Sequence, residues 1–315
     1  MSSRSRHQPR PLWHPALWPA WVAFGGAWLI VRLPTHTLTA IGARLGRWFA
    51  KLAPARRHIA ATNLQLCFPH LNASEQRVLQ TRVFESMGIA LVETMWTWLG
   101  NKHKDPAHLS RCDFTGLEIL EAAHREGRGV LLVGAHLMAL DAITPALSAA
   151  MQKSVVGQID VIYRYNKNPL FERTMVRGRG RLFPRVIERE DARGILQSLQ
   201  DGRVLWYAAD QDYGAKHSVF AEFFGVPAAT ITGTARLARF RNSPVVVMSQ
   251  YRDVANHRWS VQFEPGPANF PTGDQIADAT AINELIETAV RRAPEQYLWL
   301  HRRFKTRPEG EARIY

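Results

Sequence analysis

A histidine and a carboxylate within one short stretch are the components of a general base, and His136 and Asp141 provide them in the order H-x-x-x-x-D. Along a continuous helix five residues turn through roughly 500°, which would leave the two side chains about 140° apart. They meet if His136 sits at a strand end and Asp141 in the first turn of the helix behind it. A carboxylate on Nδ1–H would then fix the tautomer and stabilise the imidazolium, leaving Nε2 to accept a proton. No Ser or Cys lies inside the motif, so its simplest role is base towards a substrate hydroxyl. The alternative is structural, with Asp141 an N-cap and His136 a turn residue.

The elements that must position this pair alternate. Gly129–Ala135 is a continuous apolar run, the pattern of a strand buried on both faces. A helical segment follows to Ala150, then a strand over Val155–Tyr163, a helix over Pro169–Val176 and a short strand at Val186–Ile187. Ala192–Leu199 reads as a helix capped by Asp191 and stopped by Gly202. Val204–Ala209 is a buried strand and Ala229–Phe240 a helix; Val245–Ser249 pairs with Trp259–Phe263, and Gln275–Arg291 is the last long helix. Ahead of them, Ser74–Leu99 has helical period. This order predicts an α/β fold, a mainly parallel central sheet flanked by helices. Ligands of open sheets bind beyond the carboxyl ends of strands. His136, Arg164 and Asp210-Gln211-Asp212 follow three of the expected strands, so they are predicted to converge on one edge.

The chain start has a different character. Leu12–Val31 is a largely apolar stretch between Arg10 and Arg32, and Trp13, Trp18, Trp21 and Trp28 fall in or beside it. Indole rings favour water–lipid boundaries, and about 20 apolar residues in helix cross a bilayer core. Despite His14, Pro15 and Pro19, the stretch is read as a membrane anchor, spanning or lying in the interface. Arg4, Arg6 and Arg10 precede it, whereas Arg32, Arg44, Arg47, Lys51, Arg56 and Arg57 follow, which puts the body on the cytoplasmic side. Leu38–Leu52 has apolar residues at helical spacing with Arg44, Arg47 and Lys51 interleaved, a pattern suited to anionic lipid or to packing on the body.

Of 315 residues, 40 are Lys or Arg and 27 Asp or Glu, a net charge of +13 that predicts an anionic partner. One basic cluster holds Arg173, Arg177, Arg179, Arg181 and Arg185, and another Arg302, Arg303, Lys305 and Arg307. With an anchor present and no aromatic-interleaved nucleic-acid module, phosphorylated lipid or an acidic carrier protein is favoured over nucleic acid. Two cysteines make no disulfide framework and suit a reducing compartment. The histidines show no zinc spacing and no phosphate-binding glycine loop is present, so neither metal nor cofactor is expected.

Four segments carry a resemblance: Phe84–Thr94 (FESMGIALVET), Gly127–Asp141 (GRGVLLVGAHLMALD), Trp206–Thr230 (WYAADQDYGAKHSVFAEFFGVPAAT) and Arg292–Pro308 (RAPEQYLWLHRRFKTRP). Together they resemble the late acyltransferases of lipid A biosynthesis, the lauroyl and myristoyl transferases of Gram-negative inner membranes. Residues 60–315 read as one domain, preceded by a basic tail (1–11), the anchor (12–33) and an amphipathic interfacial segment (34–59), and the resemblance implies that this domain is glycerolipid-acyltransferase-like. It implies an acyl carrier protein thioester as donor and a hydroxyl of a 3-hydroxyacyl chain as acceptor, on a Kdo-bearing, phosphorylated lipid A precursor. The family's His-x4-(Asp/Glu) pair falls on His136 and Asp141, and the arginine of its Tyr-Arg segment on Arg164. In the resulting scheme His136, held by Asp141, is the base, and Arg164, oriented by Asp210, stabilises the oxyanion. Arg177, Arg302 and Arg303 hold lipid phosphates or the carrier, and residues near Trp96 and Trp98 line an acyl groove or serve as core. The resemblance places such an enzyme at the bacterial inner membrane. Transfer to a lysophospholipid and a non-catalytic lipid-binding role are the alternatives.

Overall fold

A computed structural model describes residues 11–100 and 105–315. The residues outside these ranges include Arg4, Arg6 and Arg10, so positions 1–10 of the basic tail lie outside the described residues. Four helices come first: α1 (Trp18–Ile30), α2 (Thr35–Leu52), α3 (Pro54–Cys67) and α4 (Ala73–Leu99). Alternating elements follow in the order α5 (Pro106–Leu109), β1 (Cys112–Thr115), α6 (Leu117–Arg125), β2 (Val130–Gly134), α7 (Leu140–Lys153), β3 (Ile159–Tyr163), α8 (Pro169–Arg179), β4 (Val186–Glu188), α9 (Ala192–Gln200) and β5 (Val204–Ala208). The chain closes with β6 (Ser218–Phe223), β7 (Val226–Ile231), α10 (Gly233–Arg239), β8 (Val245–Asp253), β9 (Arg258–Pro265) and α11 (Gln275–Arg292).

Seven strands form one sheet in the order β1-β9-β8-β2-β5-β3-β4, parallel throughout except where β8 meets β9. The mainly parallel α/β architecture expected from the sequence is present. β2 is central and buried along its length. Its side chains alternate: Val130 and Leu132 pack with Leu120, Ile143, Leu147 and Met151, while Leu131 and Val133 join Leu64, Phe84, Leu199 and Ile286. Both faces are therefore covered by helices, which is why the strand reads as one apolar run.

Several boundaries differ from the sequence reading. β3 begins at Ile159 rather than Val155, because Gly157 takes φ +70° and interrupts the extended run. Ala229–Ile231 belongs to β7 and not to a helix; it pairs antiparallel with β6 through a tight turn at Phe224-Gly225, and α10 starts after it. β1 and α6 are additions to the expected elements; Gly116 joins them at φ +75°, where an added Cβ would lie 2.1 Å from the Phe263 carbonyl oxygen. α3 runs from Pro54 to Cys67, through positions 59 and 60. Asn63 on α3 donates to the Trp299 and His301 carbonyls at 2.7 and 2.8 Å, fastening the helix to the last segment of the chain.

The spanning form of the N-terminal anchor is not found. Among the described residues no helix is long and apolar enough to cross a membrane. The expected stretch divides into a 3₁₀ turn at Pro15–Leu17 and the 13-residue α1. At 1.5 Å per residue α1 reaches about 20 Å, short of a hydrocarbon core of about 30 Å. Phe24, Ala27 and Ile30 pack towards Trp96, Trp98 and Met175, whereas Val22 is 76% exposed and Trp18 61%. α2 divides its faces likewise. Gly42 and Gly46 press on α4, where a Cβ on Gly46 would stand 1.9 Å from the Phe84 carbonyl oxygen, while Leu45, Trp48 and Leu52 point outward.

Candidate active site

The register of two neighbouring strands builds the site. β2 and β5 pair in parallel with Gly134 opposite Ala208, so the residues two further along each strand, His136 and Asp210, emerge side by side. Asp210 is buried and both of its oxygens go to one residue: Oδ1 accepts from His136 Nδ1 at 2.6 Å and Oδ2 from the His136 backbone N–H at 2.8 Å. Burial opposes both charges of this pair, but their attraction and hydrogen bonds prevail: the His136 pKa is raised and the Asp210 pKa lowered. With Nδ1–H committed to the carboxylate, Nε2 is left as the accepting nitrogen. The Gln211 side-chain amide donates to it at 3.3 Å, and 30% of the His136 side chain remains exposed.

The carboxylate on the imidazole is thus Asp210 and not Asp141. α7 begins at Leu140, and Asp141 on its first turn is directed to α4 and α8 instead. Its Oδ1 accepts from Trp98 Nε1 at 3.2 Å and from Arg179 Nη2 at 3.3 Å, and its Oδ2 from Thr94 Oγ1 at 3.3 Å. Asp141 and Arg179 act on His136 through space, the carboxylate favouring imidazolium and the guanidinium opposing it. H-x4-D spacing therefore places two groups at one site without joining them directly. Sequence spacing does not single out Arg179 for the site. The available signal is the Arg177-Gly178-Arg179-Gly180-Arg181 run, whose Gly178 lets α8 lie on Trp98: a Cβ there would come within 2.8 Å of the Trp98 side chain.

An apolar cavity of about 30 Å³ begins at Asp141 and Arg179 and runs between α7 and the sheet, past Leu147, Val161, Phe183 and Trp206. Asp141 and Arg179 thus line this cavity and at the same time bear electrostatically on His136.

Residues 6–306 match the family model described as bacterial lipid A biosynthesis acyltransferase. The chain belongs to that family. It is 36% identical to the lipid A biosynthesis lauroyltransferase of Escherichia coli K12 over 95% of each chain, and 37% identical to the palmitoleoyltransferase of the same organism over 97% of each. Similarity to the E. coli myristoyltransferase is 30% identity, over 96% of this chain and 91% of the relative.

In this acyltransferase β8 and the last segment hold the turns after β2 and β5 in place. The Met138 N–H donates to the Gln296 carbonyl at 2.7 Å, and Gln250 Nε2 and Arg252 Nη2 donate to the Leu137 and Met138 carbonyls, each at 3.1 Å. On the other turn, the Asp212 N–H donates to His301 Nε2 at 3.2 Å, while the Asp212 carboxylate takes the Thr306 N–H and hydroxyl at 2.8 and 2.9 Å. Burial lowers the His301 pKa to about 4, so the imidazole is the neutral acceptor this contact requires.

The remaining expected arginines separate. Arg303 is 1% exposed, bonded to the Ala229 carbonyl, Thr230 Oγ1 and Asn283 Oδ1 at 2.8, 2.9 and 3.3 Å. It fastens the hairpin and α11 from within and is sealed from any lipid phosphate. Arg302 is exposed beside the Tyr315 ring. Arg164 lies past β3, on the far side of β5 from His136; it is exposed, and its charge is felt at Tyr213. Asp210 does not orient it, since both Asp210 oxygens are engaged by His136. Trp96, a candidate for the acyl groove, is instead buried against the His108 ring. Among the described residues there is no group of three or more His, Cys, Asp or Glu suited to a metal.

Proposed function

We propose that the chain transfers a fatty acyl group from an acyl carrier protein thioester to the hydroxyl of a 3-hydroxyacyl chain on a Kdo-bearing, phosphorylated lipid A precursor. The supporting observation is the His136–Asp210 pair, which leaves Nε2 as the accepting nitrogen. His136 Nε2 takes the acceptor's hydroxyl proton, after the Gln211 amide gives way, as the oxygen attacks the thioester carbonyl. Asp210 stabilises the imidazolium that forms. Arg179, steadied by Asp141, faces the carbonyl oxygen as negative charge develops there, a form of help typically worth about 3 kcal/mol per donor. Collapse of the tetrahedral intermediate breaks the C–S bond, and the leaving thiolate takes the proton back from His136.

The enzyme works attached in plane to the cytoplasmic leaflet of the inner membrane, through the outward apolar side chains of α1 and α2. Trp18, Val22, Trp48 and Leu52 are all more than half exposed, and Arg44 and Lys51 lie beside them in α2, the composition of an interfacial helix pair. Both cysteines are free and buried, as suits a reducing compartment.

The test is mass spectrometry of the precursor after incubation with full-length enzyme in detergent and acyl carrier protein thioester. The expected product is heavier by one acyl ester, and His136→Ala yields none. Transfer by the wild type to a lysophospholipid but not to the precursor would overturn the acceptor assignment, and near-native turnover by His136→Ala would remove the base.

A further inference from the structure

Beyond the catalytic cluster, a groove of about 550 Å³ lies between α1 and α8, within the usual range of ligand sites. Its apolar floor includes Trp21 and Trp28 of α1 and Trp98 of α4, and Arg173, Arg177 and Arg181 stand along it. Among the described residues no acidic side chain lines it. Arg173 and Arg177 are four apart on α8 and share a face, whereas Arg179, two residues on, turns about 200° away towards Asp141. One helix thus sends one guanidinium to the reaction centre and a row of them into the groove. Trp98 is the partition: its indole N–H bonds Asp141 on one side, and its carbonyl receives Arg181 Nη1 at 3.3 Å.

We propose that this groove binds the phosphorylated sugar headgroup of the acceptor lipid, with α1 as one wall of the site. Guanidinium groups hold phosphate through paired N–H donors, and indole faces take the apolar side of a sugar ring. Exposed apolar residues on the rest of α1 set the groove at the level of lipid headgroups. An acidic carrier protein would need its basic partners on an open face, not over an aromatic floor. The inference deepens the functional reading, taking from it that the acceptor is a phosphorylated lipid, and it gives the N-terminal segment a role in substrate recognition besides attachment.

The test measures equilibrium binding by tryptophan fluorescence, using full-length His136→Ala so that no turnover occurs. Detergent micelles carry a phosphorylated, acylated glucosamine disaccharide, the same lipid after phosphatase treatment, or phosphatidylglycerol. Binding to the phosphorylated disaccharide should weaken at least tenfold on phosphatase treatment and at least tenfold in Arg173→Ala/Arg177→Ala. The two losses should not add. Arg193→Ala/Arg239→Ala removes equal charge from surfaces outside the groove and should bind as the parent does, with circular dichroism confirming that both variants fold. Unchanged affinity in the Arg173/Arg177 variant, an equal loss for the phosphatase-treated lipid, or equally tight binding of phosphatidylglycerol would each overturn the proposal. Acyl transfer by the wild type is scored separately: binding without transfer defeats the functional reading and leaves the groove, and transfer without phosphate-dependent binding does the reverse.

Discussion

Replacing Asp210 by Asn changes one oxygen for an amide and should cost the enzyme more than any equally small change at Asp141. Asp210 has two tasks, one per oxygen, at 2.6 Å to Nδ1 and 2.8 Å to the His136 backbone N–H. An Asn side chain keeps its single oxygen on the backbone donor and turns its NH2 towards Nδ1. Nδ1 must then accept, so the ring proton moves to Nε2, where it blocks the base. A carboxylate-to-amide change behind a catalytic histidine of this kind lowers kcat by about 10⁴, or about 5 kcal/mol of transition-state stabilisation. The pH profile gives a second, independent reading. In the wild type the Asp210 charge raises the His136 pKa, so the activity that needs neutral imidazole should rise with pH through a midpoint above 6.5. In Asp210→Asn burial and Arg179 lower it and only the weaker pull of Asp141 still raises it, so the residual activity should rise through a midpoint below 6.5. Steady-state rates across pH 5 to 9 check both. An Asn variant that keeps a tenth or more of the activity, or whose acidic limb does not move down, would refute the assignment of Asp210 as partner of the base.

Arg179→Ala should lower kcat by about 10² to 10³ with a smaller change in donor KM, as for loss of an oxyanion donor; Asp141→Asn, acting through that arginine, should fall by less than Asp210→Asn. Gly46→Ala drives a methyl group into the α4 backbone at Phe84 and should destabilise by roughly 1–3 kcal/mol or more, read as an earlier thermal unfolding midpoint, whereas Gly26→Ala meets nothing within 4 Å and should unfold no earlier than the parent. Trp48→Ser/Leu52→Ser should reduce flotation with anionic vesicles while leaving the fold intact, and undiminished flotation would exclude this face of α2 from the attachment.

The strand–helix alternation was legible in the chain because a strand covered by helices on both sides must be apolar at every position, which leaves a short unbroken run between turn residues. β2, β5 and the helix capped by Asp191 lie where those runs and punctuation put them. The β6–β7 hairpin was not legible, since Ala228-Ala229-Thr230 carries no strong preference and becomes strand by pairing with Ala221, Phe220 and Val219. At the chain start, hydropathy marked the apolar stretch but not how much of it is helix, and the proline-containing turn leaves only 13 residues for α1.

By itself the sequence determined the chemical inventory: an imidazole at a strand end, carboxylates after two strands, a basic helix and an apolar entry segment. Tertiary structure decided who meets whom. His136 and Asp141 are five residues apart yet turn to different partners, because a helix begins between them and rotates the second side chain away. His136 and Asp210 are 74 residues apart yet touch, because β2 and β5 lie side by side with their ends level. Strand adjacency is a property of the folded sheet, and no spacing along one chain records it.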